Sequence, residues 1–197
     1  GQRVNPFASY GTPKKGDFLY KDLNGDGVID DNDKYAVGHG LAPRLTYGFS
    51  LGAEWNGFDF SCLFQGNAGL QVYWQDKFYM GYINYGDVIN KEIAEGAWRE
   101  GRTNATYPRL LTGLNTLNAQ PSDFWVQNKS YLRLKNVQIG YKIPKKLLQK
   151  LDISQLRLYT SLENMLTFTS YKGIDPEISG TTYPTMKQIT VGVNVVF

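Results

Sequence analysis

Four stretches of this chain alternate apolar with small or polar residues at a period of two. That period fits a β-strand and not a helix, because successive side chains of an extended chain point to opposite faces. Over 45–55 the odd positions read Leu45, Tyr47, Phe49, Leu51, Ala53 and Trp55, and the even ones Thr46, Gly48, Ser50, Gly52 and Glu54. Asn56-Gly57, a tight-turn dipeptide, leads into 58–67, where Phe58, Phe60, Cys62 and Phe64 oppose Asp59, Ser61 and Gln65. The two strands make a hairpin with almost no loop. Over 156–168, Leu156, Leu158, Thr160, Leu162, Asn164, Leu166 and Phe168 share one face, and over 188–197, Ile189, Val191, Val193, Val195 and Phe197 do the same.

The stretch 131–143 changes phase. Leu132 and Leu134 fall on even positions, whereas Val137, Ile139, Tyr141 and Ile143 fall on odd ones, which predicts a bulge, or a change of environment, near Lys135-Asn136. Pro144 then opens a run to Leu151 that reads as one or two short helical turns with Pro at the first position.

Connection lengths are very unequal. Asn56-Gly57 and 144–155 are short, while 68–129 is far longer than the structureless connections of compact domains, which rarely exceed about 15 residues. Short turns at one end and long loops at the other are the habit of outer-membrane barrels, and strands of about 11 residues suit a tilted crossing of the bilayer. A soluble β-sandwich also alternates. Two details favour the barrel: the polar faces carry Gly, Ser, Thr and Asn more than Lys and Glu, and aromatics gather near strand ends (Tyr47, Trp55, Tyr131, Tyr141, Phe168, Phe197).

Composition removes other classes. With 21 Lys+Arg against 18 Asp+Glu the net charge is +3, too small a field for a nucleic-acid binder. One Cys and one His exclude a disulfide framework and any Cys/His zinc cluster within the chain, so a metal would need oxygen ligands. No apolar run is long enough for a membrane helix. The chain opens at Gly1 with no start Met or signal sequence, which suggests the tail of a longer polypeptide.

The oxygen ligands are present. Residues 22–33 match a 12-residue calcium loop of EF-hand type, with Asp22, Asn24, Asp26, Asp30 and Asp33 at positions one, three, five, nine and twelve, and Val28 offering its carbonyl at position seven. Gly27 stands at position six, where the chain turns sharply. The flanks, 18–20 and 35–37, read as extended chain, so this is the loop without its two helices and no sensor. The expectation is a structural Ca²⁺ clamping an exposed loop; the bland alternative is a pair of Asx turns with solvated carboxylates.

Other constellations carry no chemistry. His39 sits between two glycines without a nucleophile pattern, Cys62 shares the phase of three phenylalanines, and the sequons at Asn104 and Asn128 are short motifs that recur by chance. A hydrolase would need an acid/base pair from Asp87, Glu92, Glu95 and Glu100, and we expect no enzyme. The long connection carries Trp74, Tyr79, Tyr82, Tyr85 and Trp98, whose flat rings suit stacking on sugars or packing against a protein partner. Equally, they suit a small core of the loop itself.

Taken in order, Gly16-Asp17-Phe18-Leu19-Tyr20-Lys21-Asp22-Leu23-Asn24-Gly25-Asp26-Gly27, Tyr47-Gly48-Phe49, Gly57-Phe58-Asp59-Phe60-Ser61, Phe64-Gln65-Gly66, Tyr107-Pro108-Arg109-Leu110, Ser130-Tyr131-Leu132-Arg133-Leu134-Lys135-Asn136, Gly140-Tyr141, Asn164-Met165-Leu166-Thr167-Phe168, Asp175-Pro176-Glu177 and Tyr183-Pro184 make the chain resemble the C-terminal portion of SusC/RagA-type TonB-dependent outer-membrane transporters. It departs from the family at Asn128-Lys129 and at 102–106. The resemblance implies an all-β fold: the last five antiparallel strands of a 22-stranded transmembrane β-barrel with long extracellular loops, incomplete as a separate chain. Five strands cannot close such a barrel, and an open edge cannot face lipid.

On this reading, 1–44 is an extracellular segment holding the calcium loop (22–33). Residues 45–197 supply the barrel strands, with the aromatic extracellular loop at 68–129 and a periplasmic turn at 144–155. Phe197 resembles the terminal aromatic of the outer-membrane assembly signal. The implied partners are the remaining plug and barrel polypeptide, a SusD-like surface lipoprotein, TonB through parts outside this chain, an oligosaccharide or peptide substrate, and the lipid bilayer, with no nucleic acid. The expected function is nutrient import across the bacterial outer membrane. The alternative is a secreted, calcium-stabilised carbohydrate-binding β-sandwich module.

Overall fold

A computed structural model describes residues 11–38, 40, 42–73, 89–111, 117–149, 152–178 and 183–197. Five strands, β1 (Leu45–Trp55), β2 (Phe58–Ala68), β5 (Tyr131–Lys142), β6 (Gln155–Thr169) and β7 (Gln188–Val196), form one antiparallel sheet in the order β1-β2-β5-β6-β7. Two three-residue strands, β3 (Gln71–Tyr73) and β4 (Val126–Asn128), make a separate ladder. The outer edges of β1 and β7 have no strand partner among the described residues.

Register turns the alternation of each strand into a property of the whole sheet. Leu51, Cys62, Val137, Leu162 and Ile189 lie side by side across all five strands. The neighbouring rung on the opposite face reads Gly52, Ser61, Gln138, Ser161 and Thr190. Along the apolar face Phe49 stacks on Phe64 with ring centroids 4.9 Å apart, and Phe58 meets Tyr141 at 4.5 Å. Outside its centre this face is open, with Leu51 58% and Val191 79% exposed. One sheet with an open greasy face is a piece of barrel wall and not a sandwich, whose apolar faces would cover each other.

The hairpin between β1 and β2 is as tight as expected. Asn56 and Gly57 have φ of 48° and 86°, the left-handed pair that a two-residue I′ turn requires. The predicted bulge is present: Leu63 faces Asn136 and Phe64 faces Leu134, so Lys135 is the extra residue on β5. Across β5, Leu134 faces Leu166 and Asn136 faces Glu163, so both Asn164 and Met165 oppose Lys135, with Asn164 at φ 54°. One inserted residue flips the phase of β5, whereas two leave the phase of β6 unchanged. That is why the sequence shows a break in 131–143 and none in 156–168.

Two expectations need correction. Tyr131 does not belong with the strand-end aromatics of the apolar face: it precedes the bulge, pairs with Asn67, and shares the polar face with Arg133. The run after Pro144 gives one helical turn, Lys145–Leu148, within the one or two expected, but Pro144 is its N-cap residue instead of its first helical one.

The chain divides into two compact units, one of residues 1–38 with 73–126, the other of 39–72 with 127–197. The first unit has a core of its own. Ile93, Tyr107 and Trp125 are buried at its centre, with Phe18, Tyr73, Ile89 and Leu110 packed around them. Ile93 comes from a short helix, α1 (Lys91–Gly96), whose N-cap Asn90 accepts the Glu92 N–H. Ile29, Leu117 and Tyr20 make a second small cluster.

Candidate functional site

On the polar face of the sheet, charged side chains are arched over small residues. Arg157 of β6 reaches across β5 to Asp59 of β2, donating from Nε to Oδ1 at 2.9 Å and from Nη2 to Oδ2, and its Nη2 also donates to Gln138 Oε1 at 2.9 Å. The strand it crosses carries Gly140 at that point. A Cβ there would stand 2.6 Å from both Arg157 Nε and Asp59 Oδ1. Gly192 makes the same room for the Tyr159 ring. The small residues of this face are thus the floor on which the polar side chains lie.

Nearer the long-loop end, Arg133 is the centre of a second cluster. Its Nη2 contacts Asp175 Oδ1 at 2.7 Å, its Nη1 contacts Glu177 Oε2 at 2.6 Å, and its Nε donates to Thr167 Oγ1 at 2.8 Å. Tyr131 Oη donates to Glu177 at 2.8 Å, and Lys135 Nζ pairs with the same carboxylate at 2.7 Å. Burial works to raise the pKa of Asp175, but Arg133 and the N–H groups of Glu177 and Thr185 prevail and hold it at about 2. Burial pushes the Lys129 amine below its ordinary value, against the pull of Asp175.

In the other unit, Asp17 and Arg109 form a two-pronged pair, Nε to Oδ1 at 2.7 Å and Nη2 to Oδ2 at 3.0 Å. Asn118 ties the same corner, donating to Asp17 and accepting from the Phe18 N–H. Burial opposes ionisation of Asp17, yet Arg109, the Lys14 N–H and Asn118 keep its pKa below the usual carboxylate value.

The residues of the proposed calcium loop are all described. Asp22 accepts the N–H groups of Gly25 and Gly27, at 2.6 and 2.8 Å. Asn24 accepts from Asp26, Asp26 from Val28, and Asp30 from Asn32. Asp33 accepts from Leu23, Asn24 and Asp30, and these hydrogen bonds hold its pKa down. Gly25 and Gly27 take φ of 79° and 84°, and Ile29 at position eight is buried. Among the described residues no three His, Cys, Asp or Glu side chains are gathered at one point. A carboxylate oxygen that accepts one N–H keeps capacity for a cation, and the donor set is wholly of hard oxygens.

Of the aromatic contact residues, Trp74, Tyr79, Tyr82 and Tyr85 lie outside the described residues, as does His39. Trp98 is half-buried: its backbone N–H donates to the Tyr107 carbonyl at 2.9 Å, and its indole lies where a side chain at residue 16 would otherwise be. Glu92, one of the acids weighed for hydrolysis, accepts from Tyr107 Oη at 3.0 Å. Phe197, beyond β7, is 86% exposed. Alternation and spacing do not single out Arg133, Asp175, Glu177, Asp59 or Arg157. The signal that points to most of them is that they stand in the motifs of the family resemblance, whose members prove to be each other's partners.

The open sheet, its greasy outer face and its charged, glycine-floored inner face define a segment of outer-membrane β-barrel wall. No family model matches the chain. A TonB-dependent receptor of Formosa agariphila, P3, is 31% identical, over 95% of this chain and 20% of the receptor. The SusC receptor of Bacteroides thetaiotaomicron is 27% identical over 91% of the chain and 17% of its own length. The solved RagAB peptide transporter superposes with a TM-score of 0.70 at 28% identity, covering 86% of this chain and 19% of that one.

The chain corresponds to the C-terminal portion of SusC/RagA-type TonB-dependent receptors, which are outer-membrane β-barrel proteins. It spans about a fifth of the length of the relatives it matches.

Proposed function

We propose that this chain supplies five wall strands and external loops to a TonB-dependent importer that takes up oligosaccharides or peptides with a SusD-like lipoprotein. The observation that carries the reading is the two-faced rung across all five strands, apolar Leu51 to Ile189 on one side and Gly52 to Thr190 on the other, with both sheet edges unpaired among the described residues. Unpaired edges cannot face hydrocarbon, so other barrel polypeptide completes the ring. The relatives are receptors and a peptide transporter, which supports import over catalysis.

The turn end, with Asn56-Gly57 and 144–155, is assigned to the periplasm, and the acidic loop and the aromatic connection to the exterior. Residues 22–33 bind one Ca²⁺ through Asp22, Asn24, Asp26, the Val28 carbonyl, Asp30 and Asp33, where it serves to hold the loop. Trp74, Tyr79, Tyr82, Tyr85 and Trp98 are proposed to meet ligand or lid, and Phe197 to serve barrel assembly.

Pull-down of the full-length protein from detergent-solubilised outer membranes tests the assignment. Recovery with a surface lipoprotein, together with loss of uptake of a labelled glycan or peptide on gene deletion, is expected. A detergent-independent monomer that binds sugar would replace this reading with the secreted module.

A further inference from the structure

We infer that residues 170–178, together with Thr185, form a strap laid onto the polar face of the wall and fastened there, so that this part of the β6–β7 connection narrows the passage instead of standing clear of it. The fastening is visible in this chain by itself; the narrowing rests on the importer reading above.

Before the bulge, alternate residues entering and running along β5 share one face, and each of them reaches the strap. Lys129 Nζ donates to the Ile178 carbonyl at 2.5 Å and sits 5.5 Å from the centre of the Tyr171 ring. Tyr131 and Lys135 hold Glu177, and Arg133 holds Asp175 and Glu177 together. The strap also ties to itself and to β4, outside the five-stranded sheet, by backbone groups: Thr185 N–H donates to Asp175 Oδ2 at 3.0 Å, and Lys172 N–H to Gln127 Oε1 at 3.2 Å.

Burial decides between a fastened strap and a loop resting on the wall by chance. The side chains of Arg133 and Asp175 are 4% and 5% exposed. An exposed ion pair contributes little and breaks freely. A desolvated pair holds only with good geometry and further hydrogen bonds, and once formed it resists losing either partner. Arg133 has three acceptors here, and Asp175 has Arg133 and two backbone N–H donors. Lys129, where the sequence departs from the family pattern, adds one more fastening point.

The test uses the full-length protein in its membrane. Trypsin cleavage after Lys172 is expected to be at least tenfold slower in the wild type than in the D175N/E177Q variant, with both barrels still resisting SDS without heating. Equal cleavage in two folded barrels would overturn the fastening. Hydrogen exchange on the wild type needs no variant: protected amides at Glu177 and Thr185 are expected, and exchange at the rate of an unstructured peptide would overturn it as well. Uptake of fluorescein-labelled peptides and oligosaccharides of graded length then tests the narrowing. A raised upper size limit in D175N/E177Q supports it, and an unchanged limit with Lys172 released refutes it. If the wild type takes up no probe of any length, the importer reading fails while the exchange result stands.

Discussion

The guanidinium of Arg157 lies directly over Gly140, so the ion pair between β6 and β2 crosses the intervening strand only because that strand has no side chain there. Gly140 and Asp59 both belong to the motifs that mark the family resemblance, while their partner Arg157 does not. The crossing gives those motif positions a physical role, since together they fix three strands in register on the polar face.

Gly140→Ala is therefore expected to overpack the crossing. Displacing Arg157 from Asp59 should cost roughly 1–3 kcal/mol. The check is the temperature at which the folded barrel loses its compact mobility on SDS gels, which should fall in Gly140→Ala. It should stay unchanged in the control Gly101→Asn, at an exposed position whose φ of 82° Asn tolerates better than other side chains do.

The two faces of β1 should respond oppositely to charge. Leu51→Arg puts a cation among the apolar rung residues and is expected to cost roughly 2–4 kcal/mol at mid-membrane, whereas Ser50→Arg on the polar face should be tolerated. Assembly yield in the outer membrane reads the difference. Equal loss for both would undo the assignment of faces.

The docking of Asp175 sets a pH window. Its folded pKa, about 2, lies below the ordinary value of 3.8, so its contribution is fully present above the unfolded pKa and is lost as pH falls through the folded one. Protection of the Thr185 amide should accordingly hold from about pH 7 to pH 4 and fade between about pH 4 and pH 2. Fading already at about pH 6 would mean that another group governs the strap.

Calcium should rigidify the acidic loop. Adding Ca²⁺ to chelator-treated protein is expected to slow proteolysis within 22–33, and Asp22→Ala should abolish that effect. Gly27→Val should weaken it too, because φ of 84° strains a β-branched residue. Cleavage indifferent to Ca²⁺ would leave the loop as Asx turns alone.

In the smaller unit, Asp17→Asn keeps the shape of the side chain but removes the charge that Arg109 grips with two hydrogen bonds. Bonds of this charged kind contribute roughly 1.5–3 kcal/mol. Faster trypsin cleavage at Arg109, with the barrel intact, is the expected outcome.

Much of the sheet is legible in the sequence because its cause is local. Period-two patterning decides which side chains share a face, Asn56-Gly57 decides a two-residue turn, and the phase break at Lys135-Asn136 decides a bulge. The paired insertion at Asn164-Met165 is illegible, since two extra residues restore the alternation that one would break. Tyr131 reads wrongly as part of the apolar girdle for a related reason: which side of a bulge a residue falls on sets its face, and its aromatic character does not.

The order of residues by itself determined strands, turns and the acidic loop, because each depends on groups within a few positions of one another. Only the tertiary structure decided that Asp17 meets Arg109, that Arg157 passes over Gly140 and that Asp175 is sunk beside Arg133. Those pairs join residues from 17 to 92 positions apart. The partner of a charge across such a span is fixed by register and by where water is excluded, and neither is written in any local stretch of sequence.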